Sequence, residues 1–241
     1  GGQLLTVESA DPETTEAFTY DQEGQLVTAT RAGRATHMAH AAGRLTRAVE
    51  ATYTHDDGGR RVARELGGQR RRYVYDSGDR LLEVYDPSGR RVRFDYDAWG
   101  RRARREVAGQ VTRFVWDQDH LLAELDAEGV CQVRYVWGDG ADELLAILRP
   151  GQSPRYVHAD HLGSVRALTD ERGEVVARYA YTAYGELLQA DGPQAETCPY
   201  RYTGRRWEPS AELYYYRARD YDPATARFLT RDPAGWQGGP H

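Results

Sequence analysis

Tyr85-Asp86-Pro87-Ser88-Gly89-Arg90-Arg91-Val92 and Tyr96-Asp97-Ala98-Trp99-Gly100-Arg101-Arg102-Ala103 are two copies of one unit. The unit is an aromatic residue, Asp, two residues, Gly, Arg, one residue and an apolar residue. Tyr20-Asp21-Gln22-Glu23-Gly24 is an earlier copy, and His55-Asp56-Asp57-Gly58-Gly59-Arg60-Arg61-Val62 fits with His for Tyr. Tyr75-Asp76 leads to Asp79 in the glycine slot before Arg80. Later copies drift: Trp116-Asp117 leads to His120, Leu125-Asp126-Ala127-Glu128-Gly129 loses the aromatic, and Tyr181-Thr182-Ala183-Tyr184-Gly185 keeps the frame. Each part of the unit has a local reason. Asp accepts hydrogen bonds from backbone amides two residues on, Pro presets φ at the second turn position, and Gly supplies the positive φ that ends the turn.

Between turns the chain alternates, as in Arg91-Val92-Arg93-Phe94-Asp95-Tyr96, which is the period-2 signature of a sheet with two different faces. Tyr53, Tyr75, Tyr96, Trp116 and Trp137 recur at steps of 20 to 22 residues. A strand of about six residues with a turn of about four gives half that step, and a hairpin gives the whole. No segment sustains a 3.6-residue pattern, and Ala141–Leu148 reads as a strand after the turn Trp137-Gly138-Asp139-Gly140. The expected fold is all-β: antiparallel β-hairpin repeats in one long sheet, which twists and curls.

Composition narrows the function. The 241 residues are 40% hydrophobic and 29% charged, with 17 Tyr against 4 Phe, 25 Gly, and no Lys or Asn. The net charge of −5 gives no global basic field for nucleic acid. Two cysteines, Cys131 and Cys198, are too few for a disulfide framework. No apolar run approaches the ~20 residues of a membrane helix. The opening Gly1-Gly2-Gln3-Leu4-Leu5 is not a signal peptide and suggests a fragment or a processed product.

The last residues carry a longer pattern. Tyr200-Arg201-Tyr202-Thr203-Gly204-Arg205-Arg206-Trp207 is followed by Leu213-Tyr214-Tyr215-Tyr216-Arg217-Ala218-Arg219-Asp220-Tyr221-Asp222-Pro223 and by Arg227-Phe228-Leu229-Thr230-Arg231-Asp232-Pro233-Ala234-Gly235. With Asp160-His161-Leu162-Gly163-Ser164 upstream, this resembles the core that ends the shell of Rhs/YD-repeat proteins, the polymorphic-toxin cocoons related to the C component of Tc toxins and to teneurins. The resemblance implies a spiral sheet forming part of a hollow cocoon with a C-terminal plug. It divides the chain into a YD-repeat array, 1–150, and an Rhs core domain, 151–241. The implied function is a shell fragment that encapsulates a C-terminal toxin domain and presents its autocleavage site. The implied partners are that cargo, the remaining shell segments and a secretion-system spike or adaptor such as a type VI machine uses. No nucleic acid, membrane span, cofactor or metal is implied. The product would be secreted or delivered into a target cell in interbacterial competition. A second reading makes the core itself an intramolecular aspartyl protease. A third is a cell-surface module binding carbohydrate or protein.

Arg231 and Asp232 are the candidate catalytic residues. Aspartyl chemistry wants two close carboxylates, one protonated and one activating water, and an adjacent arginine can orient the ionised partner. Asp-Pro-x-Gly alone is a plain type I turn, and Asp86-Pro87-Ser88-Gly89 repeats it inside an ordinary unit. Only the longer Arg-Phe-Leu-x-Arg-Asp-Pro context singles out Asp232. Relatives that cut themselves carry a second Asp-Pro-x-Gly downstream. Here Trp236 replaces an aliphatic residue and Gly238-Gly239-Pro240-His241 follows, so the piece is expected to be inactive by itself. His158, Asp160 and His161 have ligand chemistry, but strand alternation turns His161 away, and a hydrogen-bonding role is expected. The Arg70-Arg71-Arg72 run and Arg101, Arg102, Arg104 and Arg105 read as a solvated strand face braced by cross-strand pairs. There is no phosphate-binding loop, Gly-x-Ser-x-Gly or Cys/His nucleophile pattern.

Overall fold

The computed structural model describes residues 3–8 and 15–233. Trp236 and Gly238–His241 therefore lie outside the described residues, as does the Gly1-Gly2 start. Among the described residues nineteen strands belong to one antiparallel sheet. These are β1 (Thr6–Val7), β2 (Glu16–Tyr20), β3 (Leu26–Arg31), β4 (Arg34–Ala41), β5 (Arg44–Ala48), β6 (Ala51–His55), β7 (Arg61–Leu66) and β8 (Gln69–Tyr75). They continue with β9 (Leu81–Tyr85), β10 (Arg91–Tyr96), β11 (Arg102–Val107), β12 (Gln110–Asp117), β13 (His120–Leu125) and β14 (Cys131–Trp137). The last are β15 (Leu144–Leu148), β16 (Arg155–Ala159), β17 (Val165–Thr169), β18 (Val175–Tyr181) and β19 (Leu187–Asp191). A second sheet holds β20 (Arg206–Glu208), β21 (Leu213–Tyr215), β22 (Asp220–Asp222) and β23 (Arg227–Phe228). The all-β hairpin array expected from the repeats is what forms; of the strand expected over Ala141–Leu148, Leu144–Leu148 is β15, and Ala141 and Asp142 stay in the turn before it.

Two kinds of turn build the array. At the Asp-x-x-Gly copies one carboxylate oxygen closes a five-residue loop. Asp97 Oδ1 accepts the amides of Trp99 and Arg101 at 2.9 Å each, and Asp86 accepts those of Ser88 and Arg90 in the same way. The glycine takes positive φ, +84° at Gly89 and +79° at Gly100, and Asp79 does so in their place at +63°. The arginine closes the ring: Arg60, Arg80 and Arg101 each approach the loop Asp within 2.6–2.7 Å. Burial alone would raise the Asp56, Asp76 and Asp97 carboxyls, but the arginine and the loop amides outweigh it and hold all three below the ordinary aspartate value.

The second kind is a two-residue turn with positive φ at both residues, at Ala32-Gly33, Ala42-Gly43, Gly67-Gly68 and Ala108-Gly109. This hairpin geometry matches the right-handed strand twist.

The aromatic of the unit has a structural task that alternation did not reveal. Its side chain donates to the backbone carbonyl just past the previous loop. Tyr96 Oη reaches Leu81 O at 2.7 Å, Trp116 Nε1 reaches Arg102 O at 2.6 Å, Trp137 Nε1 reaches Leu121 O at 2.8 Å and Tyr181 Oη reaches Val165 O at 2.9 Å. Each of these aromatics sits where the register shifts by a residue, so the bulge swings the ring toward its acceptor. Phe has no donor to offer, which accounts for Tyr and Trp in the slot.

The chain divides into two compact units, one of Gly1–Tyr73 with Leu229–His241 and one of Val74–Phe228. In the first, Phe18, Leu26, Met38, Leu45, Tyr53 and Tyr73 are buried, and Arg61 N donates to Leu229 O at 2.9 Å. In the second, a core of Phe114, Leu121, Val133, Tyr135, Ile147 and Leu168 reaches Cys198 and Tyr200 at the start of the terminal segment.

Candidate functional site

Within the second unit the terminal segment, from Cys198 to Phe228, packs on the inner face of the repeat strands through arginines and tyrosines. Arg102 opens β11 directly after a loop, and its side chain is 3% exposed. Its Nη2 lies 2.6 Å from Asp220 Oδ1 on β22. Its guanidinium stacks between the Phe94 ring at 3.7 Å and the Tyr215 ring at 4.1 Å. The Arg102 amide donates to Tyr215 Oη at 3.1 Å, and its carbonyl accepts from Trp116. Burial opposes charge on both partners and pushes the Asp220 carboxyl up. On the arginine side burial is more than offset by Asp220, Tyr96 and Tyr215, so Arg102 holds its proton more tightly than usual.

Arg206 on β20 lies 2.6 Å from Glu124 Oε1 on β13, a carboxylate that also accepts from Tyr135 Oη. Burial alone would raise Glu124, but Arg206 and the Tyr135 hydroxyl bring it below its ordinary value. Tyr200 meets Tyr135 and Trp137 edge-on, both at 5.2 Å. Arg105 pairs with Glu208 at 2.7 Å. Asp142, at φ +58° before β15, takes Arg205 at 2.8 Å and also Arg217.

Tyrosines complete the attachment. Tyr202, Tyr221 and Tyr214 donate to three consecutive carbonyls, Ala183 O at 2.6 Å, Tyr184 O at 3.0 Å and Gly185 O at 3.0 Å. Gly185 has φ +90°, and a Cβ there would stand 2.4 Å from the Tyr202 ring. The turn between β18 and β19 must therefore carry glycine at that place for the ring to reach it.

The arginines expected on a solvated face are divided between the two faces, because the one-residue register shift beside Tyr96 breaks strict alternation at the start of β11. Arg104 does lie outward, bridging Asp95 at 2.9 Å and Glu106. Arg102 and Arg105 instead turn inward to acidic partners more than a hundred residues along the chain. Arg71 is also buried, whereas Arg70 is exposed and 3.5 Å from Glu65. Nothing local in the sequence marks Asp220 and Glu208 as partners of these arginines; the one available signal was carboxylates set among tyrosines in a segment that buries.

The sequence-selected catalytic pair lies in the first unit. Leu229 and Thr230 are buried, Arg231 is exposed and Asp232 half-buried. Arg231 crosses the Asp56–Arg60 loop so closely that a Cβ on Gly59 would be 3.0 Å from its Nε. Arg44 Nη1 donates to Asp56 O at 3.1 Å in the same loop. Both oxygens of Asp56 are engaged by Arg60, from its amide at 2.9 Å and its Nε at 2.6 Å. His158 Nε2 faces Thr169 Oγ1 at 2.9 Å. Asp160 Oδ1 accepts the amides of Leu162 and Ser164 at 3.0 Å each. Among the described residues no group of three or more His, Cys, Asp or Glu is placed to hold a metal ion, and no helix is long and apolar enough to cross a membrane.

The family profile described as Teneurin YD-shell matches residues 1–238. The tRNA3(Ser)-specific nuclease WapA of Bacillus spizizenii is 28% identical over 226 residues, covering 90% of this chain and 8% of that protein. Double-stranded DNA deaminase toxin A of Burkholderia cenocepacia is 28% identical over 273 residues, covering 99% of this chain and 19% of that protein. A solved Photorhabdus luminescens Tc holotoxin pore carrying a TccC3 variant matches with a TM-score of 0.69 at 19% identity, covering 92% of this chain and 12% of that one. At that identity the likeness is one of fold.

Proposed function

Because the chain belongs to the Teneurin YD-shell family, we propose that it is a shell segment of an Rhs-type toxin, whose terminal sheet is the plug that helps enclose a C-terminal toxin domain. The observation that carries the reading is the attachment of β20–β23 to the repeat strands by the buried pairs Arg102–Asp220 and Arg206–Glu124. A plug that must stay shut needs contacts that are costly to break, and removing one partner of a buried ion pair costs about 3–5 kcal/mol. Relatives named as a nuclease and a DNA deaminase toxin support a toxic cargo. The proposed division is a repeat array over 1–150 and a core domain over 151–241, with other shell segments completing the enclosure. Export by a secretion-system spike or adaptor, or delivery into a target cell, belongs to the same proposal.

The test uses the full-length parent. Its toxin portion should resist added protease while the wild-type plug is in place and become cleavable in Arg102→Ala. Equal resistance in both proteins, with the variant still folded, would remove the plug from the account.

A second reading assigns Asp232 to intramolecular cleavage, with Arg231 orienting it. Its support is that Leu229 is tied to Arg61 and that Arg231 lies against Gly59, so the carboxylate is presented from an anchored stretch. Asp232→Asn in the parent should leave the chain uncut, and continued cleavage just downstream would exclude this residue.

A further inference from the structure

Three separate segments of the second unit line a cavity of about 270 Å³. The first is the start of β16 at Arg155, the second is the loop Asp170-Glu171-Arg172 after β17, and the third is Pro193-Gln194 beyond β19. A glycine fixes the third wall. Gly192 has φ +101°, a Cβ there would stand 2.4 Å from Val176 O, and Gln194 N donates to that same carbonyl at 3.1 Å. A side chain at this place would push the wall away from β18.

Four charged side chains line the space, Arg155 and Arg172 with Asp170 and Glu171. Among the described residues none of the four forms an ion pair within 4.0 Å, with one another or with a group elsewhere. Their hydrogen bonds go to the backbone. Arg155 Nη1 donates to Ser153 O at 2.9 Å and to Pro154 O at 3.1 Å, and its Nε is buried with no acceptor among the described residues. Asp170 Oδ1 accepts the amides of Arg172 at 2.9 Å and Glu174 at 3.0 Å. In the Asp56, Asp76 and Asp97 loops an arginine four residues on engages the second carboxylate oxygen. Here Glu174 stands in that slot, so Asp170 Oδ2 is left without that cation.

We propose that this cavity binds a small zwitterion of the amino-acid class, its cationic nitrogen toward Asp170 and Glu171 and its carboxylate toward Arg155 and Arg172. The lining is neutral in sum but divided in sign. A ligand with one charge meets as much repulsion as attraction, whereas a ligand with both charges answers both halves. A few convergent polar groups in a concave site fix the orientation of such a ligand.

Isothermal titration calorimetry of the chain with diglycine tests this, with methylammonium and acetate as single-charge controls. The expected result is saturable binding of diglycine, with each control about tenfold weaker or more. Asp170→Asn keeps the oxygen that accepts the two loop amides and removes the negative charge. It should weaken diglycine about ten- to a hundredfold, the loss of one charged hydrogen bond. Arg172→Gln, at an exposed residue, should weaken it as much. Asp126→Asn makes the same exchange in a loop of the same build that does not line the cavity, and should leave binding unchanged. Binding of acetyl-Lys-Glu-amide in place of diglycine keeps the site and assigns its ligand to the side chains of a polypeptide. Equal binding of diglycine and the two controls, indifference to Asp170→Asn, an equal loss in Asp126→Asn, or no saturable binding of either zwitterion overturns the proposal.

Discussion

Arg101 and Arg102 are neighbours, and each has a carboxylate at almost the same distance, 2.7 Å for Arg101 to Asp97 and 2.6 Å for Arg102 to Asp220. The first pair spans four residues and closes a loop in partial contact with water. The second spans 118 residues and is sealed between two rings. The repeat loops satisfy their carboxylates locally, within five residues. The terminal sheet closes Asp222 in its own turn but satisfies Arg206, Glu208 and Asp220 against distant strands, so its docking depends on those strands. Repeat architectures owe their modularity to near-neighbour contacts, and the terminal segment departs from that rule.

The comparison breaks most directly at Arg102. Arg102→Ala should cost about 3–5 kcal/mol, because Asp220 is left buried without its partner. Arg101→Ala should cost less, about 1 kcal/mol, because its pair is partly open to water and Asp97 keeps the amides of Trp99 and Arg101. Urea unfolding of both variants measures the difference, and equal losses would erase the distinction between loop and plug. Replacing both members, Arg102→Met with Asp220→Leu, should recover most of the loss. If it does not, the stacking of the guanidinium on Phe94 and Tyr215 carries the docking instead of the charge.

A smaller effect tests what joins one repeat to the next. Tyr96→Phe keeps the ring and removes the donor to Leu81 O, at an expected cost of about 0.5–1.5 kcal/mol. The loss should appear as a lower urea midpoint with an unchanged slope. A neutral outcome would mean that ring packing alone sets the repeat spacing.

The loops should show their own pH signature. Asp56, Asp76 and Asp97 have folded values held below 3.8, so their contribution is present above that value and is lost as pH falls through the depressed ones. Thermal midpoints should hold from neutral pH to about 4 and fall below it. In Asp97→Asn the fall should be shallower, whereas a parallel curve would place the acid sensitivity elsewhere.

The loops were legible because everything they need lies within five residues. Asp97, Gly100 and Arg101 announce the turn, and even Asp79 in the glycine slot takes the positive φ that the slot demands. The strand at Leu144–Leu148 followed from the turn before it. The terminal motif was legible as a pattern but not as a site. That Tyr214, Tyr221 and Tyr202 grip three successive carbonyls depends on where the turn at Ala183–Gly185 arrives in space. Arg102 looked like its neighbours because a one-residue bulge beside Tyr96 and a partner 118 residues away leave no trace in a local window. The Ala-Gly turns escaped for a different reason: alanine rarely adopts the left-handed region, so it is not a turn signal.

Those turns carry the smallest prediction. A type I′ hairpin wants Asn or Gly at its first residue, and this chain has no Asn at all. Ala32, Ala42 and Ala108 take φ of +48°, +49° and +50°. Each lies in a two-residue turn between paired strands. A side chain at Gly33, Gly43 or Gly109 would meet nothing within 4 Å, so the turns stand clear of other packing and the strain is local. Ala108→Asn should therefore stabilise by about 0.5–1 kcal/mol, and adding Ala32→Asn and Ala42→Asn should give roughly additive gains, since distant sites act independently. Urea midpoints of the single and triple variants measure this. Gains that fail to add would mean that the turns are coupled through the sheet, and the repeat would then share the long-range dependence that now separates it from the terminal segment.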